Sequence, residues 1–394
     1  MNRLVFGSTV IWLLTVFFSH FSTNESLLLV SPKVEFIFLE FILSFFIGSL
    51  LAERYAASKT WPTYKLSPVG SKLILILIIL FIVSQCLILL RIFLLWTGQE
   101  YSRVLIYSSH GSSFYQTVYV AFVYLNGLAL IFLNFLFIRA LLKSNKFYVF
   151  FIFFLVLINA VLFNSRGQIL SILLIYFLFT LLTKSKKLFS NLSHQFFFTF
   201  SIIVIVGISL VRGDNLVNIA NNYLLIGPVI LSGLVSESYD AVITGTGIIN
   251  MPLLFSGIDY LVALFFRGIF HFDYDSIGYF WIKLIDQKIV FGANGHHFQY
   301  ANAFYTLLSE PYIVLGHLGV LITGCFFGGA MYINFVRFNK RGCDYSLLLL
   351  SYIWILICTG IFGNAFASPI PWIFFTIIFL FRVYIFNMVE FNKP

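Results

Sequence analysis

Residues 73–96 read LILILIILFIVSQCLILLRIFLLW, with Arg91 as the single charge. A helix needs about 20 apolar residues to cross the hydrocarbon of a bilayer, and this run exceeds that with no polar face to turn toward water. Runs of the same kind recur on both sides of it. The chain has 394 residues, 60% hydrophobic and 10% charged, against roughly 25% charged in a soluble domain. The runs predict about ten spans, at 4–20, 36–52, 73–96, 117–138, 147–163, 168–183, 195–211, 312–334, 347–363 and 371–389. The expected fold is an all-α integral membrane protein. The 50 phenylalanines suit lipid-facing surface and point to no particular function.

A net charge of +9 would suit a nucleic-acid partner if the basic residues shared a face. They lie instead in short clusters between apolar runs, so no nucleic acid is expected. One set of connections carries Arg3; Arg54, Lys59, Lys65 and Lys72; Arg139, Lys143 and Lys146; Lys184, Lys186 and Lys187; Arg337, Lys340 and Arg341; and Lys393. These are fifteen of the 24 basic residues, whereas the alternate short connections hold Lys33, Arg103 and Arg166. Basic residues mark the cytoplasmic side, so both termini are expected in the cytoplasm. The first run lacks a small-x-small cleavage pattern and reads as an uncleaved span. Cys86, Cys325, Cys343 and Cys358 show neither disulfide nor metal spacing.

Between the seventh and eighth spans the composition changes. Residues 212–310 hold eight of the fifteen acidic residues, and loops beyond ~12–15 residues usually carry function. Tyr223–Val235 is too short to span, and Met251–Phe270 contains Pro252, Gly257, Asp259 and Arg267. Crossing by the second alone, or by both, breaks the charge rule, so interfacial or re-entrant helices are expected. The chain thus divides into 1–211 with seven spans, 212–310 as a large, partly helical extracytoplasmic loop, and 311–394 with three spans.

Three Arg-Gly pairs fall on the extracytoplasmic side. Asn164-Ser165-Arg166-Gly167 joins the fifth and sixth spans by a tight turn, which holds Arg166 at the membrane boundary. Either Arg166 snorkels to lipid phosphates, or its guanidinium fork holds a specific anion. Arg212-Gly213 closes the seventh span and Arg267-Gly268 lies in the loop. Together the three could clamp a diphosphate; separately they would be interfacial anchors. Arg91, costly in lipid, should face the protein interior, toward an ion-pair partner or a substrate.

Acid–base candidates are His271, Asp273, Asp275, His296, His297 and Glu310. Asp273-Tyr274-Asp275 has the spacing of carboxylates that hold a divalent metal on a diphosphate, a spacing also frequent by chance. Asn294-Gly295-His296-His297 reads as a turn presenting two imidazoles. Adjacent side chains on extended backbone point to opposite faces, so at most one of them serves a site. The intracellular connections contain no Gly-rich phosphate loop. Phosphate chemistry would then use a substrate energised elsewhere, such as a lipid-linked diphosphate.

The order of these features resembles the Wzy-type O-antigen polymerases, or oligosaccharide repeat-unit polymerases. Asn164-Ser165-Arg166-Gly167-Gln168-Ile169-Leu170 resembles the family's short outer loop with a functional Arg. Tyr223-Leu224-Leu225-Ile226-Gly227-Pro228 is similar to its Tyr-x-x-x-Gly-Pro stretch. Asn302-Ala303-Phe304-Tyr305-Thr306 through Tyr312, then Leu315-Gly316-His317-Leu318-Gly319-Val320 and Gly324 to Gly329, resembles the return from the large loop into a Gly-rich span. Many members carry Asp-Phe-Gly there, where this chain has Val314-Leu315-Gly316.

The resemblance implies a GT-C-like polytopic glycosyltransferase in the bacterial inner membrane, with the large loop periplasmic. Donor and acceptor would be glycans on undecaprenyl diphosphate within the membrane lipid, and a chain-length regulator would be a further partner. Arg166, Arg212 and Arg267 would bind the diphosphate that departs, which is the task a metal performs elsewhere, so no cofactor and no metal is required. His296 and His297, then Asp273, Asp275 and Glu310, would supply the base for the acceptor hydroxyl. The O-antigen ligases share this architecture and are the nearest alternative; a lipid-linked oligosaccharide flippase is the alternative from another class.

Overall fold

The computed structural model describes residues 2–21, 32–57, 59, 61–95, 113–163, 165–183, 199–207, 231, 258–259, 262, 289–291, 299–301, 306–361 and 368–389. Helices dominate because a helix satisfies its own backbone polar groups, the requirement a lipid environment imposes. They are α1 (Asn2–Phe21), α2 (Pro32–Ala57), α3 (Pro68–Leu95), α4 (Ser113–Leu142), α5 (Lys146–Leu162), α6 (Arg166–Thr183), α7 (Ser309–Leu315), α8 (His317–Arg341), α9 (Asp344–Thr359) and α10 (Pro369–Ile385). Residues 199–207 are also helical. Pro32–Ala57, Pro68–Leu90, Tyr124–Leu142 and His317–Arg341 are long and apolar enough to cross a membrane; the other apolar helices are shorter. In Pro68–Leu90 only 28% of the most apolar window is buried. An apolar surface of that extent fits lipid contact.

Two departures from the expected spans have local causes. The eighth expected span, 312–334, is interrupted at Gly316, whose φ of 59° suits glycine and ends α7 before α8 begins. The tenth, 371–389, stops as a helix at Ile385. Residues Phe386–Val389 form a strand, β4, that pairs antiparallel with β1 (Thr63–Leu66), placing Thr63 opposite Val389 and Leu66 opposite Phe386. Ser67 secures the change from helix to strand: its N–H donates to Ile385 O at 2.9 Å and its hydroxyl to Tyr384 O at 2.6 Å. In the large loop β2 (Ile289–Phe291) and β3 (Gln299–Ala301) form a second antiparallel pair.

The chain forms two compact units, Met1–Lys59 with Val217–Ile333 and Leu356–Phe375, and Thr60–Leu216 with Asn334–Ile355 and Thr376–Pro394. In the first, α1 meets α2 through Trp12. Its indole is fully buried, 5.0 Å from the Phe38 ring and 4.6 Å from that of Phe41, and its N–H donates to Ile357 O at 2.9 Å. Helices α2 and α8 pack through small residues. A Cβ on Gly48 would strike the Cys325 backbone, one on Gly324 the Ser44 hydroxyl, and one on Gly328 the Phe45 carbonyl. Ser49 Oγ donates to Gly328 O at 3.1 Å across the same seam. Without a hydrophobic drive between helices in lipid, such close backbone approach is what holds them together. Contacts advance along both helices in step, so α2 and α8 run parallel.

In the second unit α4 packs against α3, α5 and α6. The α4–α5 turn is a Schellman-type closure. Ser144 has φ 54°, and the N–H groups of Ser144 and Asn145 donate to Leu141 O and Ala140 O, each at 3.0 Å. The Asn145 side chain then caps α5 by accepting from Tyr148 N. At the same ends Asp344, in the first turn of α9, accepts from Leu66 N at 3.0 Å and pairs with Arg139 at 3.4 Å. Arg382 lies over the Tyr64 ring and Arg337 over that of Trp61.

Candidate functional site

The α2–α8 seam ends in an acid–imidazole pair. Glu40 lies one turn before Ser44 on α2, and His317 is the first residue of α8, so the stripe of small residues brings the two side chains level. Glu40 Oε2 and His317 Nδ1 are 2.7 Å apart. Where a neutral imidazole gives its Nδ1 proton to the Glu40 carboxylate in this contact, Nε2 keeps its lone pair. Rings on two sides hold the imidazole: Tyr312 edge-on at 5.4 Å and Phe36 at 6.0 Å. The carboxylate is 17% exposed and the imidazole 53%. A base oriented by a shielded acid, with its free nitrogen open to the surroundings, is suited to take a proton from a hydroxyl.

Glu310 sits two residues before Tyr312, in the first turn of α7, and is fully buried. Thr306 and Ser309, with hydroxyls 3.2 Å apart, are buried beside it in sequence, and Leu307 N–H donates to Gly360 O at 2.5 Å. This tight packing closes the segment by which the chain returns from the large loop to α8. Of the acid–base residues expected from sequence, Glu310 is thus internal, and the accessible pair at this end is Glu40–His317. His296 and His297 fall in the sequence between the paired strands β2 and β3. Those two histidines, Asp273 and Asp275 themselves lie outside the described residues, as do Arg212 and Arg267.

Arg166 is the first residue of α6; its side chain lies outside the described residues. The backbone that carries it is anchored two residues on. Asn126 Nδ2 donates to Asn159 Oδ1 at 2.8 Å, and Asn159 Nδ2 donates to Gln168 Oε1 at 2.6 Å. This amide chain ties α4, α5 and the start of α6 together where apolar side chains alone would allow sliding. Ser165 N–H, donating to Ala160 O at 2.8 Å, tightens the turn that precedes it.

Sequence reasoning overlooked Glu40, although a carboxylate within an expected span is by default a functional candidate. His317 was visible only as part of the family-like stretch Leu315–Val320. Compared with protein-family models, with curated proteins and with solved structures, the chain matches none of them.

Proposed function

We propose that the chain is a membrane glycosyltransferase of the Wzy type, joining undecaprenyl-diphosphate-linked repeat units on the periplasmic side of the bacterial inner membrane. The observation that carries this reading is the contact of Glu40, on α2, with His317, which opens α8 inside the stretch that resembles the family. Ten crossings, cytoplasmic termini and a periplasmic loop complete the proposal, with the Lys and Arg distribution as its support.

In the reaction the acceptor hydroxyl oxygen bonds to the reducing-end anomeric carbon of the donor glycan. The bond from that carbon to the diphosphate oxygen breaks, and the lipid diphosphate leaves with the electron pair. His317 Nε2 takes the hydroxyl proton, and Glu40 stabilises the imidazolium that results. His296 or His297 would take this part instead if the large loop supplies the base. Negative charge gathers on the departing diphosphate, and Arg166, Arg212 and Arg267 are the cations proposed to receive it.

Complementation of a polymerase-null strain tests this. His317→Gln should lower long-chain glycan by about 10²-fold, the lower end of general-base effects, with the protein at normal abundance. Glu40→Gln, which keeps a hydrogen-bond acceptor, should fall between His317→Gln and the unaltered chain. Normal long-chain glycan with both variants removes the pair from the mechanism. Deleting the gene in its own host should leave lipid A core capped by a single unit; bare core would assign the chain to the ligases instead.

A further inference from the structure

A cavity of 400 Å³ opens among the ends of α3, α4 and α5 in the second unit, within the ~300–1,000 Å³ range of small-molecule sites. Its lining changes character along the helices. Arg139, Lys143, Tyr148 and Ser71 line one end, while Ile78 and Leu136 line the other. From Ser71 to Ile78 is about 10 Å along α3 at 1.5 Å per residue. No Asp or Glu is among the described residues that line it. Asp344, outside the lining, is taken by Arg139 Nη2 and Leu66 N–H. Arg139 Nε is buried and has no hydrogen-bond partner among the described residues. Lys143, at the α4–α5 turn, is exposed.

We propose that this cavity holds an anionic phospholipid of the leaflet on the basic side. Its phosphate lies between Arg139 and Lys143, and an acyl chain runs along Ile78 and Leu136. The Lys143 charge, with the Arg139 Nε–H as a further donor, selects a net negative headgroup, and the apolar depth selects a lipid over a free phosphate. The turn that presents Lys143 is fixed by the Ser144 and Asn145 closure, so the headgroup site is preformed.

The full-length chain, purified in a zwitterionic detergent, is titrated with phosphatidylglycerol, with phosphatidylcholine of the same acyl chains, or with water-soluble glycerol phosphate, and its thermal unfolding is followed. Phosphatidylglycerol alone should raise the midpoint. Lys143→Gln should shift the half-maximal phosphatidylglycerol concentration upward about fivefold, the effect of one basic residue near an anionic lipid. Ile78→Trp, which fills the apolar end, should abolish the response while melting cooperatively without lipid. If that variant does not fold, Lys143→Gln decides alone. An equal rise with phosphatidylcholine or with glycerol phosphate overturns the proposal, as does an unchanged titration of Lys143→Gln.

Discussion

Asn159 is fully buried and uses both ends of its amide, accepting from Asn126 and donating to Gln168. Interhelical hydrogen bonds of this kind average about 0.6 kcal/mol and reach about 1.7 kcal/mol in membrane helices. Asn159→Leu removes two of them and leaves two amides without their partner, so a loss of ~1–3 kcal/mol is expected in thermal or denaturant unfolding in detergent. Gln168→Leu breaks one bond of the same chain. Combined with Asn159→Leu it should cost less than the sum of the single changes, because the bond they share can be lost only once. Additive losses would mean that the three amides do not act as a unit, and the anchoring of Arg166 at the start of α6 would need another source. The Glu40–His317 contact poses a different question, since its exposed imidazole adds little to stability and its value lies in orientation.

At the level of elements, the α2–α8 seam makes a sharper prediction from two adjacent glycines. A Cβ at Gly329 would meet Gly48 O at 3.5 Å and the Ala52 Cβ at 3.9 Å, ordinary contact, whereas one at Gly328 would overlap the Phe45 carbonyl. Gly329→Ala should therefore leave the unfolding midpoint nearly unchanged. Gly328→Ala should lower stability by about 1–3 kcal/mol, the usual cost of overpacking, and should also reduce the function assigned to Glu40 and His317 by moving one helix off the other. Equal behaviour of the two variants would disprove the seam. The helices themselves were legible in the sequence because apolar length is a strong signal, and α3 is the clearest case. Strand β4 was not, because Ile385-Phe386-Asn387-Met388-Val389 continues an apolar run and periodicity does not separate a short strand from a last helical turn. The pairing of Glu40 with His317 was hidden for another reason: 277 positions separate them, and only the register of two small-residue stripes brings them together. Glu310 was legible as a residue and not as an environment, since its burial depends on how α7 packs.

Across the whole molecule, the polymerase reading depends on orientation. A periplasmic reaction needs the start of α8 to face the periplasm. Lys33 stands at the start of α2, and Asn339 near the end of α8 beside Arg337, Lys340 and Arg341; both are exposed. The charge rule sets these two positions on opposite sides of the membrane. In a background with Cys86, Cys325, Cys343 and Cys358 replaced, Lys33→Cys should react with a membrane-impermeant maleimide in intact spheroplasts. Asn339→Cys should react only after permeabilisation. The reverse pattern would invert the molecule, put His317 on the cytoplasmic side and end the polymerase reading, because lipid-linked repeat units would then meet the wrong face. It would leave the phospholipid cavity intact, since charge and apolar depth there do not depend on which leaflet supplies the lipid.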